Sequence, residues 1–320
     1  MVNSTGEGLV LPEVEAWLRG RTSSADDWPL PALLERKGAT TVSVVLPARD
    51  ERATIGTIIR VIRRELRGLV DEVVVIDSRS SDDTAAVAAR AGAAVHAQDE
   101  ILPELKPLDG KGEALWKSLA VTSGELVVFV DSDLRDFRAS MVTGLLGPLL
   151  DDPSVVYVKG CYDRPLLGAP TGGGRVTELV ARPLINLHWP QLAGFVQPLA
   201  GEYAGRRSAL ERVPFITGYG VEIGLLIDLL EMAGLDALAQ VDLGSREHSP
   251  QSTEALGAMA GQIMLAVWSR LERQGKMIPL HEPSARLSQF SRAGSGHKVT
   301  TRDVSIAERP PMITMAGNLR

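Results

Sequence analysis

Residues 124–136 read Gly-Glu-Leu-Val-Val-Phe-Val-Asp-Ser-Asp-Leu-Arg-Asp, a run of five apolar residues that leads into two closely spaced carboxylates. Such a run, rich in β-branched and aromatic residues, predicts a strand that is buried on both faces of a sheet. In an open α/β sheet, ligands bind at the carboxyl ends of the strands, so we expect Asp131 and Asp133 to face a ligand. Carboxylates one residue apart suit a hard divalent cation, which commonly bridges to phosphate oxygens. The alternative, a polar turn that caps the next helix, stays open on this stretch alone.

Two strands of the same kind precede this one, and each ends in a polar loop. Residues 41–46 lead into the turn 48–52, residues 72–76 lead into the loop 77–84, and a helix follows each loop. This alternation implies right-handed crossovers and a mostly parallel open sheet flanked by helices. Because the carboxyl ends of parallel strands meet at one edge, the three polar loops should form one site, for which a nucleotide is a favoured ligand. The same reasoning predicts strands at 94–96, 155–159 and 238–243 and helices at 111–124, 141–150, 222–230 and 254–272.

Composition and charge narrow the class of protein. The chain has 320 residues, of which 44% are apolar, so it can bury a sizeable core. Its net charge of −6 and its lack of a long basic run argue against general nucleic-acid binding. No apolar run reaches the roughly 18 residues of a membrane span, and the N-terminus lacks the order of a signal peptide, so we expect a cytoplasmic protein. Cys161 is the only cysteine, which excludes an internal disulfide, and we expect it to be a small core residue.

A glycine-rich segment offers a second place for chemistry. Residues 171–179 read Thr-Gly-Gly-Gly-Arg-Val-Thr-Glu-Leu and precede an apolar pattern of helical period. Glycines at a helix start leave backbone N–H groups free to bind an anion, with Arg175 beside them. A flexible hinge before a helix is the alternative. On pattern alone, Glu222 at a helix start complements the macrodipole and His248 lies in a solvated loop, so neither carries functional weight.

Several stretches together resemble the actinobacterial glucosyl-3-phosphoglycerate synthases, which are retaining glycosyltransferases of the GT-A fold. The run from Thr171 to Pro183 is the most specific of them, whereas a single Asp-x-Asp is weak. The matching stretches cover most of residues 40–260 in order and are Ser43–Ala48, Asp77–Ser78, Ser81–Thr84, Gly110–Trp116, Val130–Leu134, Thr171–Pro183, Gln197–Ala204 and Gly218–Asp228.

The resemblance implies a GT-A nucleotide-diphospho-sugar transferase fold and a set of site residues. It implies that the nucleotide sugar is bound by Pro47, Ala48, Glu51, Ser78, Lys111, Asp131, Ser132, Leu199, Tyr219 and Glu222. It implies that a divalent cation, Mg²⁺ or Mn²⁺, is held by Asp133 and His248. The implied acceptor residues are Gly174, Arg175, Val176 and Thr177, and the implied catalytic residues are Asp133, Glu222 and Lys111.

The expected activity is therefore metal-dependent, retaining transfer of glucose from an NDP-glucose, UDP-glucose first, to 3-phosphoglycerate. The chain departs from the family where Asp50 replaces an asparagine, where Arg49 and Arg79 replace smaller residues, and where Pro250 replaces an asparagine that contacts the acceptor. These departures leave open a different small anionic acceptor in specialised metabolism. A nucleotide-sugar-binding protein without turnover is the alternative from another class.

The sequence also suggests a division of the chain. We expect an N-terminal arm at 1–40, a catalytic domain at 41–248, and a C-terminal helix with a flexible tail at 249–320. Within the catalytic domain, residues 41–160 would bind the nucleotide sugar and residues 161–248 the acceptor. From about residue 283 the sequence is polar and without pattern. We expect a homodimer, with no nucleic-acid or membrane partner.

Overall fold

The computed structural model describes residues 11–166, 169–172, 174–246 and 251–315. The helices are Pro12–Arg21 (α1), Leu30–Lys37 (α2), Ile55–Glu65 (α3), Thr84–Ala91 (α4), Lys111–Val121 (α5), Ala139–Asp151 (α6), Arg182–His188 (α7), Arg207–Leu210 (α8), Val221–Ala233 (α9) and Thr253–Arg273 (α10). The strands are Thr22–Ser24 (β1), Val42–Ala48 (β2), Glu72–Asp77 (β3), Ala94–Ala97 (β4), Leu126–Phe129 (β5), Tyr157–Asp163 (β6), Pro165–Leu166 (β7), Ala169–Gly172 (β8), Tyr203–Arg206 (β9), Phe215–Ile216 (β10), Leu238–Ser245 (β11), Arg286–Ala293 (β12), Gly296–Asp303 (β13) and Glu308–Arg309 (β14).

An eight-stranded sheet lies at the centre of the described part of the chain, in the order β1-β11-β6-β9-β5-β2-β3-β4. Strands β5, β2, β3 and β4 pair in parallel, as do β1, β11 and β6. Strand β9 joins the two groups and runs antiparallel to both β5 and β6. The prediction of a mostly parallel open sheet is confirmed, and β5, β2 and β3 are neighbours whose three polar exit loops share one edge.

Strand β5 shows why the sheet forms where it does. All four of its residues are buried, and successive side chains point to opposite faces. Val127 and Phe129 belong to the core on the side of α5 and α9, whereas Leu126 and Val128 belong to the core on the side of α3 and α6. Burying each such side chain contributes about 1.5–3 kcal/mol relative to exposure. A strand that is apolar on both faces therefore holds the sheet between two helical layers.

The N-terminal segment is part of this core, which the expectation of an arm understates. Strand β1 extends the sheet beside β11. Trp17 is 2% exposed and donates its indole N–H to the Leu238 carbonyl at 2.7 Å. Trp28 lies against Gly147 of α6, where a Cβ would come within 2.0 Å of the indole. The two tryptophans thus fasten residues 12–37 to the sheet and to α6.

The C-terminal region differs from the expected flexible tail within the described residues. Strands β12 and β13 form an antiparallel hairpin, and β14 pairs with β10. Arg309 of β14 donates two hydrogen bonds of 2.7 Å to the carboxylate of Glu113, which is fully buried in α5. Sequence periodicity missed this segment because its order comes from side-chain contacts with distant elements and not from an apolar stripe of its own.

Two further local differences concern strands. Residues 197–203 look like a turn in the sequence, but Tyr203 begins β9 because its backbone fits between β5 and β6. Pro47 was expected to end β2, yet the strand continues to Ala48, and Pro47 lies opposite Ile76 of β3.

Among the described residues, no helix combines the length and the apolar character that crossing a membrane requires.

Candidate active site

A cavity of about 530 Å³ opens where the three polar loops converge. It brings together most of the residues that the sequence singled out: Pro47, Glu51, Ser78, Lys111, Asp131, Ser132, Asp133, Gly174, Arg175, Val176, Thr177, Leu199, Tyr219 and Glu222. Ala48 does not line it, since that side chain is buried in the sheet. His248 and Pro250 lie outside the described residues. The volume is that of a typical site for a small-molecule ligand.

The carboxylate of Asp131 lies at the centre of the charged part of the cavity. One of its oxygens accepts a hydrogen bond from the ammonium of Lys111, and the other accepts one from Arg246 at 3.3 Å. Burial alone would raise the pKa of Asp131, but these two cations lower it well below its ordinary value. Asp131 is therefore an ionised carboxylate with a cation on each oxygen.

Lys111 links this carboxylate to a second one. The residue begins α5, directly after Gly110, which has a φ of +106° and lies so close to Gly218 that a Cβ would come within 2.5 Å of its backbone nitrogen. The ammonium also lies 3.0 Å from the carboxylate of Glu222, in the first turn of α9. Burial would lower the pKa of Lys111, but Asp131 and Glu222 raise it above its ordinary value. The ammonium stays charged between the two acids.

Asp133 differs from Asp131 in its exposure. Its side chain is 57% exposed, and one oxygen accepts a hydrogen bond from Arg246 at 2.8 Å. Partial desolvation in the cavity and the nearby charge of Asp131 raise the pKa of Asp133. Of the two acids, Asp133 presents the more accessible carboxylate to the cavity. The described residues contain no group of three or more His, Cys, Asp or Glu side chains that could hold a metal by themselves.

Arg246 and Glu202 are functional candidates that the sequence reasoning missed. Arg246 is 4% exposed, and besides contacting both aspartates it pairs with Glu202, which is 1% exposed. Burial and Asp131 raise the pKa of Glu202, while Arg246 opposes that shift. The only signal in the sequence was position, since Arg246 precedes His248 in the same loop and Glu202 lies in the matched stretch from Gln197 to Ala204.

The residues expected to contact a nucleobase are held by a hydrogen-bond network. Ser132 donates its hydroxyl to the Pro47 carbonyl at 2.7 Å, and Ser78 donates to the side chain of Gln98 at 2.8 Å. Gln98 in turn donates to the Leu108 carbonyl at 3.0 Å. Burial, followed by the charge of Asp133, raises the pKa of Glu51 to about 7. The loops after β2, β3 and β5 are thereby tied to one another before any ligand binds.

Of the four departures from the family pattern, Pro250 lies outside the described residues, and two of the other three have structural explanations. Asp50 adopts a φ of +60° and accepts hydrogen bonds from the backbone of Ser81 at 2.6 Å and of Asp82 at 3.3 Å. The guanidinium of Arg79 pairs with Asp99 and Asp109, and so ties two loops together. Arg49 lines the cavity and is exposed. Only Arg49 therefore adds positive charge that a ligand can reach.

The glycine-rich segment forms the other part of the cavity. Gly174 has a φ of +75°, which favours glycine, and the chain then enters a helix that takes the π form at Thr177–Ala181. Thr177 is 1% exposed, whereas Arg175 is exposed and donates to the Gln251 carbonyl at 2.9 Å. Short π segments are frequent at functional sites. Arg175 therefore contacts the chain two residues before α10 begins at Thr253.

Lys159 lies beneath the charged residues and was not expected to matter. Its ammonium is fully buried, donates to the Ala200 carbonyl at 2.9 Å and lies 4.8 Å from the ring centroid of Tyr203. Ala200 follows Leu199, which lines the cavity. Burial lowers the pKa of Lys159 to about 7. The lysine therefore holds the loop that carries Leu199.

The comparisons with known proteins agree with this geometry. Residues 43–196 match the family model of glycosyl transferase family 2. The glucosyl-3-phosphoglycerate synthase of Mycolicibacterium smegmatis is 46% identical over 303 residues, which cover 93% of this chain and 98% of that protein.

Two solved structures are similar over nearly the whole chain. The crystal structure of mannosyl-3-phosphoglycerate synthase from Rubrobacter xylanophilus has a TM-score of 0.89 at 40% identity and covers 98% of this chain and 100% of that one. The crystal structure of glucosyl-3-phosphoglycerate synthase from Mycobacterium tuberculosis in complex with Mn²⁺, uridine-diphosphate and phosphoglyceric acid has a TM-score of 0.81 at 46% identity. It covers 90% of this chain and 95% of that one. The predicted GT-A fold is confirmed by this likeness.

The buried Lys159 yields a prediction about stability and pH. Because its pKa is about 7 in the folded protein and about 10.5 in an unfolded chain, the unfolded state binds one more proton between these values. Stability therefore rises with pH across that window, by up to about 1.4 kcal/mol per pH unit from this residue. Substituting Lys159→Met should remove this dependence.

Urea unfolding of both proteins from pH 6 to pH 10 measures the effect. The free energy of unfolding of the wild type, minus that of the variant, should increase as the pH rises above about 7. A difference that stays constant with pH, or decreases, would contradict the lowered pKa.

Proposed function

The chain belongs to the glucosyl-3-phosphoglycerate synthase family, and on that premise we propose that it transfers glucose from an NDP-glucose, UDP-glucose first, to 3-phosphoglycerate. The product is glucosyl-3-phosphoglycerate, and a divalent cation, Mg²⁺ or Mn²⁺, assists the transfer. One observation carries the proposal. The same cavity is lined by an accessible carboxylate at Asp133 and by the helix start at Gly174 with Arg175. A metal-bridged diphosphate and a small acid suit these two features.

The residues fit a divalent cation that is held largely by the donor. Both oxygens of Asp131 are engaged by Lys111 and Arg246, so this residue is a poor ligand. Asp133 would hold the cation, together with His248 as the family resemblance implies. Two protein ligands suit Mg²⁺ or Mn²⁺, because such ions take their remaining oxygens from phosphates and water. When bound, the cation neutralises charge on the departing diphosphate.

We propose that Lys111 and Glu222 act on the donor as an ion pair. A charged ammonium at the start of α5 would stabilise the negative charge that develops on the leaving phosphates. The carboxylate of Glu222 is 7% exposed and lies 3.0 Å from that ammonium. An ion-paired carboxylate is suited to accept hydrogen bonds from sugar hydroxyls, with Leu199 and Tyr219 beside it. Pro47, Glu51, Ser78 and Ser132 would surround the nucleoside.

Pairing with Lys111 also bears on stereochemistry. A carboxylate nucleophile at the anomeric carbon would give retention through a covalent intermediate. The Glu222 carboxylate, however, is held in an ion pair with the Lys111 ammonium. We therefore favour entry of the acceptor on the face that the diphosphate leaves. A departing phosphate oxygen can then take the proton of the acceptor hydroxyl, so no separate protein base is required. The product would keep the α configuration of the donor.

A second candidate differs in the sugar. The Rubrobacter xylanophilus structure with a TM-score of 0.89 carries the name mannosyl-3-phosphoglycerate synthase, which favours testing a mannose donor. Glucose ranks first because the Mycolicibacterium and Mycobacterium relatives, at 46% identity, carry the name glucosyl-3-phosphoglycerate synthase. A different small anionic acceptor remains the alternative that Pro250 suggests. The intact Asp131, Asp133, Glu222 and His248 argue against a binding protein without turnover, and donor hydrolysis measured with and without acceptor would distinguish it.

Substrate selection tests the proposed function directly. With 3-phosphoglycerate as acceptor, UDP-glucose should be used at least about tenfold more efficiently than GDP-glucose or GDP-mannose, a difference of about 1.4 kcal/mol in transition-state binding. Glycerate, phosphoenolpyruvate and a neutral sugar serve as competing acceptors. Mass spectrometry of the products identifies each transfer. Preference for a neutral acceptor over all the acids would contradict the proposal, and GDP-mannose as the best donor would select the second candidate.

The proposed metal residue can be tested without turnover. The variant Asp133→Asn should weaken Mn²⁺ binding in the presence of UDP, measured by electron paramagnetic resonance, by about tenfold or more, and lower the rate by roughly 100-fold or more. Asp136→Asn is a matched control, because Asp136 is an exposed acid nearby that does not line the cavity. Unchanged Mn²⁺ affinity in the Asp133 variant would remove that residue from the metal site.

We also propose that the protein is a homodimer that pairs through the β12–β13 hairpin. An isolated two-stranded hairpin is marginal in water, and here the opposed side chains of Phe290 and Val299 are 67% and 54% exposed. Light scattering should give a mass near twice 34.3 kDa, and Phe290→Lys with Val299→Lys should lower it toward one chain. Leu187→Lys, at an exposed leucine outside the hairpin, is the control. A single-chain mass for the wild type would contradict this proposal.

A further inference from the structure

Arg164 lines the same cavity but had no role in the sequence analysis. It follows β6 directly, and its guanidinium lies over the ring of Tyr162, 5.2 Å from the centroid. One Nη donates to the Tyr162 hydroxyl at 2.9 Å. That hydroxyl also accepts from Arg246 at 3.2 Å. Tyr162 therefore fixes Arg164 beside the charged residues around Asp131.

The guanidinium is also close to the helix start in the other part of the cavity. A Cβ added at Gly174 would lie 3.4 Å from Cδ and 3.8 Å from one Nη of Arg164. Residue 174 and the Arg164 side chain are thus within van der Waals contact of each other. Arg164 and Arg175 approach the same space from two different elements, one from the end of β6 and one from the first turn of the helix.

Arg164 and Arg175 differ from the two cations around Asp131 in their lack of an ion pair within the described part of the chain. Lys111 and Arg246 are paired with the acids at 131, 133, 202 and 222. By contrast, no carboxylate of the described residues forms an ion pair with Arg164 or Arg175. The Nε of Arg164 is buried and has no hydrogen-bond partner among the described residues. A buried donor without an acceptor costs about 1–3 kcal/mol, and more when it is charged.

We propose that Arg164 determines acceptor specificity by binding the carboxylate of the acid, while the helix start at Gly174 and Arg175 bind its phosphate. This rests on the proposed function for the identity of the acceptor. A planar guanidinium that pairs with no carboxylate of the described residues matches the two oxygens of an acid, whereas backbone N–H groups at a helix start match a phosphate. The acceptor class is therefore a small acid with two separate anionic groups. Binding of the carboxylate by Arg164 would compensate for the hydrogen-bond donor that Pro250 lacks.

Calorimetry of acid binding to the protein with UDP tests the assignment without turnover. Three acids serve as probes: 3-phosphoglycerate has both anionic groups, glycerol 3-phosphate lacks the carboxylate, and glycerate lacks the phosphate. The variant Arg164→Met keeps the aliphatic stem over Tyr162 but loses the charge. It should weaken 3-phosphoglycerate binding by about 10- to 100-fold, as expected for a charge-assisted hydrogen bond, and leave UDP affinity unchanged.

The truncated acids locate each contact. Arg164→Met should leave the affinity for glycerol 3-phosphate unchanged, because that acid has no carboxylate for Arg164 to bind. The matched variant Arg175→Met should weaken glycerol 3-phosphate and leave glycerate nearly unaffected. Arg164→Lys should restore only part of the affinity, since an ammonium lacks the planar fork. Melting temperatures, together with this conservative variant, separate lost binding from lost folding.

Several outcomes would overturn the inference. One is a variant at Arg164 that weakens UDP and not the acid, which would place the residue at the donor. Another is an equal loss for 3-phosphoglycerate and glycerol 3-phosphate, which would place the phosphate there. A wild type that binds none of the three acids would also overturn it. Binding with the expected pattern but without glucosyl transfer would contradict the proposed function and leave the role of Arg164 intact.

Discussion

The rest of the structure depends on the compensation of one half-buried carboxylate, that of Asp131, by two cations. Strand β5 delivers the acid to the sheet edge, the start of α5 delivers Lys111, and the loop after β11 delivers Arg246. A half-buried charge that loses its partners destabilises the fold, so the three elements must arrive together. This explains why β9 matters: it joins the parallel group that carries Asp131 to the parallel group that ends near Arg246.

The C-terminal region supports this arrangement from behind. Arg309 binds Glu113, two residues after Lys111, and the Trp116 indole donates to the Pro310 carbonyl at 2.7 Å. Thr217 exchanges backbone and side-chain hydrogen bonds with Ala307, next to the glycine at 218 that contacts the start of α5. The segment from 304 to 315 thus holds the helix that presents the ammonium to the site. The same residues that order the tail therefore position Lys111.

The sequence predicted what local patterns encode and missed what distant contacts decide. The apolar runs at β2, β3 and β5 fixed both the parallel sheet and the edge where their polar loops converge. Arg246 and Arg164 were missed because no sequence pattern marks a loop arginine as part of a site. Their environment is formed by Tyr162, Glu202 and the aspartates. Strand β9 was read as a turn because its pairing partners are more than 40 residues away in sequence. In the hairpin at 286–303 only Leu287 and Gln289 are half-buried, against α10, so no apolar alternation revealed it.

The central claim is that the paired Glu222 binds the sugar and does not attack it, while the acceptor enters on the face that the diphosphate leaves. Proton NMR of freshly formed product, recorded before any hydrolysis, reads the anomeric coupling constant directly. The account predicts the small coupling of an α-glucoside, with no covalent glucosyl-protein detected by intact-mass spectrometry during turnover. A covalent glucosyl-protein at Glu222 would contradict it by making that residue a nucleophile, and a β-glucoside would contradict it because inversion requires a protein base near the acceptor hydroxyl.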